Sequence, residues 1–316
     1  MNPMPGKKPF MGIEIGGTKL QIVTGTADGH LLTKHRFQIE KKEGAKGIRA
    51  HIEKTVRESY YQEVAAAGIG FGGPVNWQTG QIATSFHIEG WADFNLTSWL
   101  EPIVGAPVFL ENDANTAALG EAVHGAGKGY PLVLYITIGS GIGGGLVINN
   151  QIYHGAIPGE VEIGHLRMNR TGDSFQDLCS GWGIDERIRK LVTQHPSGVL
   201  AKLIGSHTSG EAMFLKDALQ QKDTQAMKLY EEVIDDLSYG LSHAIHLFHP
   251  DILILGGGFS LIGKMLQESI QNKIPDYLMN AFHPGPAVRL AQLREQSVPV
   301  GALLVAAQNF NQEKNL

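Results

Sequence analysis

The chain has 316 residues, 42% of them hydrophobic, and its 31 acidic and 26 basic residues give a formal net charge of −5. This length and apolar content can build two folded domains, and the lack of any long basic run excludes nucleic acid as an expected partner. The single cysteine, Cys179, excludes an internal disulfide and an all-cysteine zinc cage. Without a secretory signal or a long apolar stretch, we expect a cytoplasmic protein with no membrane partner.

The first predicted elements form a β-hairpin with glycine at its tip. Phe10–Ile15 is predicted as a buried strand and Leu20–Thr24 as the returning strand. Glycine amides at the turn can point inward as an anion-binding nest, because glycine has no Cβ. The spacing is not that of a Walker loop, since GxxxxGK[ST] is absent and a strand follows. The segment is therefore either a phosphate-binding hairpin or a plain turn.

An α/β alternation follows. A helix is predicted over Ile48–Val64 and a strand over Ala67–Phe71, which runs into Gly72-Gly73. Val108–Leu110 is the next short strand, and Ala114–Val123 is the next helix, with Asp113 near its N-terminus. A carboxylate at a strand end can take a proton from an alcohol in line with a γ-phosphate. Asp113 is therefore a candidate base or an ordinary N-cap.

The second half repeats the opening pattern. Leu132–Ile138 is predicted as a strand, residues 139–145 as a glycine tip and Leu146–Ile148 as the returning strand. A dinucleotide-binding turn is disfavoured, because its GxGxxG should open a helix. Two glycine tips in two halves could instead hold one polyphosphate.

Three helices and a strand follow the second tip, and a short helix ends the chain. The predicted bounds are Gly183–Val192, Gly210–Gln220, Thr224–Phe248, the strand Asp251–Leu255 and the helix Ala302–Asn309. The glycines after that strand suit the flat face of an adenine or ribose, or the start of a helix. We place the domain boundary within 121–130, which gives an N-terminal domain of 1–122, a C-terminal domain of 123–299, and a helix at about 300–316 that packs back on the first domain.

Two segments contain histidines, and only the first is a candidate for ligand binding. Glu160, Glu162 and His165 lie close together and could hold sugar hydroxyls by directional hydrogen bonds. A metal is disfavoured there because no other ligand cluster is evident nearby. The histidines at 243, 246 and 249 are interpreted as surface or core residues of a helix.

These motifs together resemble the ROK family of repressors and sugar kinases, within the actin and hexokinase ATPase superfamily. Glu14–Lys19 is similar to its first phosphate motif, DxGGTK, and Ile138–Gly145 to its second. Asn112–Asn115 matches NDAN, Glu162–His165 matches ExGH, and Ile254–Gly258 resembles the adenosine motif. The resemblance implies an α/β, two-domain actin-like ATPase (ribonuclease H-like) fold with an interdomain cleft.

The resemblance also implies site residues. Asp113 would be the catalytic base, and the sugar would be bound by Gly73, Asn112, Asp113, Glu162 and His165. ATP with Mg²⁺ would be held by Glu14, Gly16, Gly17, Thr18, Lys19, Gly139, Ser140, Gly141, Gly256 and Gly257. A homodimer is implied as well.

Three positions depart from the family pattern. Glu14 stands where the family has Asp, so the carboxylate that supports Mg²⁺ reaches one methylene further. The cysteine motif that binds a structural zinc after ExGH is absent, so we expect no zinc, and the motif's final Glu aligns with Gln176 or Asp177. His87 stands where many members have Asn.

We therefore expect an ATP-dependent kinase that phosphorylates a hexose or amino sugar, at the 6-hydroxyl by analogy with the family. A sugar-sensing repressor is disfavoured because only nine residues precede Phe10, which leaves no room for a helix-turn-helix domain. The remaining alternative is a catalytically weak sugar-binding or regulatory ROK protein, which Glu14 and the missing zinc loop favour.

Overall fold

The computed structural model describes residues 8–58, 63–85 and 88–314. The chain divides into two compact units. Unit 1 comprises Met1–Pro131, Gly145–Glu160 and Gln292–Leu316, and unit 2 comprises Leu132–Gly144 and Val161–Ala291. This division differs from the predicted one, because residues 145–160 return to unit 1 and the final return begins at residue 292.

The first part of unit 1 is a five-stranded sheet with its helices. Its elements are β1 (Phe10–Ile15), β2 (Lys19–Gly25), β3 (Leu31–Gln38), α1 (Gly44–Glu58), β4 (Ala67–Phe71), β5 (Val75–Asn76), β6 (Gln81–Ile82), α2 (Leu96–Val104), β7 (Val108–Asn112) and α3 (Asp113–His124). The sheet order is β3-β2-β1-β4-β7. β1 and β2 form the predicted antiparallel hairpin, while β1, β4 and β7 run parallel. The carboxyl ends of these parallel strands meet at one edge, which is where α/β sheets place ligands.

The later elements contain a second five-stranded sheet. They are β8 (Leu132–Ile138), β9 (Ile142–Ile148), β10 (Gln151–Ile152), α4 (Phe175–Cys179), α5 (Gly181–Gln194), α6 (Val199–Ile204), α7 (Leu215–Gln220), α8 (Thr224–Phe248), β11 (Ile252–Gly256), α9 (Lys264–Lys273), β12 (Ala287–Leu290) and α10 (Ser297–Glu313). The strand order is β10-β9-β8-β11-β12, with β8, β11 and β12 parallel.

The C-terminal helix α10 belongs to unit 1 and contacts α3, β1 and β4. Glycine makes this close approach possible, since a Cβ at Gly68 would lie 2.0 Å from the Ala302 carbonyl oxygen. Glu121 of α3 is fully buried and anchors the segment that leads into α10. Its carboxylate accepts hydrogen bonds from the backbone N–H groups of Gln292 and Leu293 and from the Ser297 hydroxyl, at 2.8–3.0 Å.

Most predicted elements are present, several with different bounds. The first helix is observed over Gly44–Glu58, and the rest of its predicted range includes residues 59–62, which lie outside the described residues. The second glycine tip is shorter than predicted, because β9 already begins at Ile142. The predicted helix over 210–220 is a 3₁₀ turn followed by α7, and α10 extends in both directions beyond Ala302–Asn309. No helix in the described residues is both long enough and apolar enough to cross a membrane.

Candidate active site

The end of β7 presents two polar residues with different roles. Asn112 is the N-cap of α3, and its side-chain oxygen accepts hydrogen bonds from the N–H groups of Ala114 and Asn115. Its amide nitrogen donates to the carbonyl oxygen of Gly73 at 3.1 Å. The alternative that Asp113 is the N-cap is therefore wrong: Asp113 is the first helical residue, and the Asn112 side chain is the cap.

The carboxylate of Asp113 lies close to Gly72 and is affected by the charge of Glu14. A Cβ at Gly72 would lie 3.3 Å from Asp113 Oδ2 and 3.6 Å from the Gly16 Cα, so the carboxylate lies close to the tip of the first hairpin. Burial, together with the negative charge of Glu14, raises the pKa of Asp113 to about 7. A carboxylate with a pKa near neutral is suited to accept a proton from an alcohol.

Glu14 is buried in β1, and its carboxylate has two partners. Lys19 Nζ lies 2.9 Å from one oxygen, and Gln21 Nε2 donates to the other at 2.5 Å. Burial raises the pKa of Glu14, while the Lys19 charge opposes that rise. The turn itself is closed by the Gly16 N–H, which donates to the Lys19 carbonyl oxygen at 3.0 Å. Unit 1 thus collects Glu14, Lys19 and Asp113 at the hairpin tip.

In unit 2 the second glycine tip lies beside the end of β11. The tip consists of residues 139–141, where the Gly139 N–H donates to the Gly141 carbonyl oxygen at 2.9 Å. Gly257 has a φ of +79°, and a Cβ there would lie 2.5 Å from the Ile138 carbonyl. Only glycine fits at this position without rearrangement. Gly256 pairs with Thr137 in the parallel β8–β11 ladder, which places the predicted adenosine glycines next to the tip and its exposed Ser140.

The ExGH segment forms a short 3₁₀ turn in unit 2. Glu162 precedes this turn, His165 ends it, and both residues are exposed. The following loop is short and is closed by Asn169, whose side-chain oxygen accepts the N–H groups of Thr171, Gly172 and Asp173. His165 belongs to no group of three or more metal-ligating side chains among the described residues.

The structure separates the two positions that could replace the final Glu of the lost motif. Asp177 is used as part of a capping box, because its carboxylate accepts from the N–H and hydroxyl of Ser174. Gln176 is directed elsewhere: its Oε1 would lie 3.3 Å from a Cβ at Gly141 and 3.2 Å from one at Gly164. Gln176 is therefore the better candidate for a ligand contact. His87 lies outside the described residues.

Sequence reasoning missed a polar cluster behind the end of β7. Glu111 accepts a hydrogen bond from Asn115 Nδ2 at 3.1 Å and lies 2.6 Å from His154 Nε2. Glu160 accepts from the same Asn115 nitrogen, and the His154 ring stacks on Trp77 at 4.2 Å. The sequence carried one usable signal, since Glu111 adjoins the predicted catalytic residues, but nothing in it pairs Glu111 with His154.

The histidines at 243, 246 and 249, in α8 and at its C-cap, contact neighbouring residues. His246 Nε2 accepts from the N–H of Met279 at 3.2 Å, and His249 stacks on Phe282 with ring centroids 3.8 Å apart. His243 packs edge-on against Tyr239.

The similarity to known proteins extends over nearly the whole chain. The sequence profile of the ROK family matches residues 10–309. The glucokinase of Thermotoga maritima is 31% identical over 305 residues, which are 94% of this chain and 96% of the relative. A crystal structure of a ROK family glucokinase from Streptomyces griseus in complex with glucose and AMPPNP is 29% identical, with a TM-score of 0.82 over 95% of this chain and 99% of that chain. The ROK hexokinase from Thermus thermophilus is 28% identical, with a TM-score of 0.79 over 96% and 99%.

The two-unit α/β architecture is therefore the actin-like ATPase fold of these sugar kinases. The profile match and the identity to the Thermotoga maritima glucokinase go further than the fold. The chain belongs to the ROK family.

Proposed function

We propose that the protein is an ATP-dependent hexose kinase that transfers the γ-phosphoryl group of ATP to a sugar hydroxyl. The observation that carries the proposal is Asp113, a carboxylate with a pKa of about 7 at the end of β7. The glucokinase relatives, and a glucokinase structure that contains glucose and AMPPNP, support a hexose and ATP as the substrates.

In this proposal each unit contributes its own residues. In unit 1, Asp113 accepts the proton of the attacking hydroxyl, which we place at the 6-position. Asn112 retains one amide hydrogen for the sugar, because the other donates to Gly73 and the oxygen is occupied at the helix cap. In unit 2, Glu162 and His165 bind sugar hydroxyls, and the nucleotide is held by glycine backbone at the following positions: Gly139, Gly141, Gly256 and Gly257.

Mg²⁺ is part of the proposal as the partner of ATP. Carboxylate oxygens are the ligands this ion prefers, and Glu14 supplies them in unit 1, which leaves Asp113 free to act as the base. The ion would neutralise charge on the phosphates, while Lys19 holds the Glu14 carboxylate at 2.9 Å. A cytoplasmic location and a homodimer complete the proposal, and the homodimer rests on the family resemblance alone.

A test is ATP-dependent ADP release with Mg²⁺ across glucose, mannose, fructose, allose, N-acetylglucosamine and N-acetylmannosamine. Asp113→Asn should lower sugar-dependent turnover by at least about 100-fold while sugar binding persists. Asp223→Asn is the matched control, since Asp223 is an N-cap in α8 and Asn caps equally well. Near-native turnover by Asp113→Asn would refute the assignment of the base.

One observation favours a weak sugar-binding protein as the second candidate. The two Glu14 oxygens are already paired with Lys19 and Gln21, so a metal ion must displace or share those partners. If sugars raise the melting temperature and none supports ADP release, this second function is the correct one.

A further inference from the structure

The polar cluster behind β7 borders the proposed sugar site, since Glu111 also accepts a hydrogen bond from the N–H of Asn112. It contains three metal-ligating side chains that the proposed kinase mechanism does not use. One ligand atom from each of Glu111, His154 and Glu160 can be chosen so that all lie within 4.8 Å of one another. The three residues come from separate parts of unit 1, namely β7 and the segment of residues 145–160. Among the described residues, this is the only such group of three or more.

A second observation concerns Asn115, which is 2% exposed and whose amide lies inside the cluster. Its Nδ2 donates to both Glu111 and Glu160, while its Oδ1 is buried without a hydrogen-bond partner. An orphaned buried carbonyl oxygen is costly in a folded protein. Turning the amide would direct this oxygen at the cluster, where it could bind a cation that lies between the two carboxylates.

The ligand chemistry selects the class of cation. One imidazole nitrogen with two carboxylates suits a borderline ion such as Zn²⁺, whereas Mg²⁺ and Ca²⁺ prefer sets made of oxygen alone. Two carboxylate charges balance a divalent ion. The His154 ring is already oriented by stacking on Trp77, and its Nε2 faces the cluster at 2.6 Å from Glu111 Oε2.

We propose that Glu111, His154 and Glu160, with Asn115 as the fourth ligand, form a site for a divalent transition-metal ion in unit 1. The bound ion ties the segment of residues 154–160 to β7 and α3. Binding requires the unprotonated Nε2 of His154, so a proton leaves this nitrogen when the ion enters. The site is distinct from the zinc loop that this chain lacks after His165.

The test uses the full chain, freed of metal with a chelator and kept without nucleotide. Equilibrium dialysis against Zn²⁺, followed by metal analysis, should give one equivalent in a saturable class, and Mg²⁺ or Ca²⁺ at about 100-fold excess should not compete. Glu160→Gln and His154→Gln should each weaken Zn²⁺ binding by at least about tenfold. Glu43→Gln should not, although Glu43 also lies beside a histidine, 3.6 Å from His51 Nε2 on the surface.

Either of two results overturns the site. The first is the absence of a saturable Zn²⁺ equivalent in the wild type. The second is wild-type Zn²⁺ affinity in the Glu160 and His154 variants. If both variants fail to fold by circular dichroism, anomalous scattering from zinc-soaked wild-type crystals decides, since the proposal places the zinc peak between His154 and Glu160 and a peak elsewhere contradicts it.

Discussion

Replacing Asp113 with asparagine should stabilise the protein without its substrates, and the gain should grow with pH. The raised pKa means that the folded state resists ionisation of this carboxylate. Protonated Asp113 therefore contributes to the free energy of unfolding. This contribution is fully present below pH 3.8, the pKa of the group in the unfolded chain, and is lost as the pH rises to about 7. Above that pH the loss is constant. Asparagine has no charge to bury, so Asp113→Asn escapes the loss.

The magnitude follows from the size of the shift. A rise from 3.8 to about 7 corresponds to about 4 kcal/mol at most, at about 1.4 kcal/mol per pKa unit. Asp113 is only half-buried by its solvent exposure, and solvent screening reduces the expected effect to about 1–2 kcal/mol. Over half of the interval between the two pKa values lies above pH 5. Between pH 5 and 8 the advantage of Asp113→Asn should therefore widen by about 1 kcal/mol, or roughly 2 °C in melting temperature for a chain of this size.

The measurement is the melting temperature of both proteins from pH 5 to 8, without sugar, nucleotide or metal. Asp223→Asn is the control, because three or more backbone hydrogen bonds to the Asp223 carboxylate outweigh its burial and lower its pKa. Its difference from the wild type should stay flat over this range. A flat difference for Asp113→Asn, or one that shrinks as pH rises, would show that Asp113 is not a destabilised acid.

Three further predictions concern the same unit. The kcat/KM of the wild type should rise with pH through about 7 as Asp113 ionises, and a profile that is flat from pH 6 to 8 would contradict this. Glu14→Gln removes a negative charge that raises the pKa of Asp113, so the midpoint of that profile should move to lower pH; a move to higher pH would refute the electrostatic coupling. Glu121→Ala removes the side-chain acceptor of the Ala126, Gln292 and Leu293 N–H groups and one of the two acceptors of the Ser297 hydroxyl. It should lower the free energy of unfolding by about 2–4 kcal/mol in urea titration, and a loss below about 1 kcal/mol would count against the anchor.

The elements that the sequence predicts well are those whose signals are local. β1 and β4 match their predicted bounds because each is a short apolar run that ends in glycine. α8 matches because Asp223 caps its start and His249 takes a left-handed conformation at its end. β3 was missed because most of its residues are exposed and charged or polar. Its strand conformation comes from antiparallel pairing with β2, which no pattern within 31–38 encodes.

The features of the candidate site are likewise of two kinds: those with a local sequence signal can be predicted, and those that depend on tertiary contacts cannot. Residue types and motif spacing identify Asp113, Asn112 and the glycine tips, because those features lie within a few neighbouring positions. The raised pKa of Asp113 comes first from burial and then from the charge of Glu14, which is far away in sequence and is brought close through the β1–β4–β7 register. The contact between Glu111 and His154 likewise depends on a segment that returns to unit 1 after unit 2 has begun.

The order of the two residues at the end of β7 explains how one helix start can carry a base. Asp223 shows what an aspartate becomes as an N-cap, since backbone donors stabilise its charge and lower its pKa, which makes it a poor proton acceptor at neutral pH. At α3 the cap is instead the neutral amide of Asn112, which satisfies the N–H groups of the first turn. Asp113 still feels the helix start, because a hydrogen bond from the Ala114 N–H lowers its pKa, but burial and Glu14 outweigh that contribution. Exchanging the two residues would give the carboxylate the role of Asp223, so the Asn-Asp order is itself a requirement for a base that titrates near pH 7.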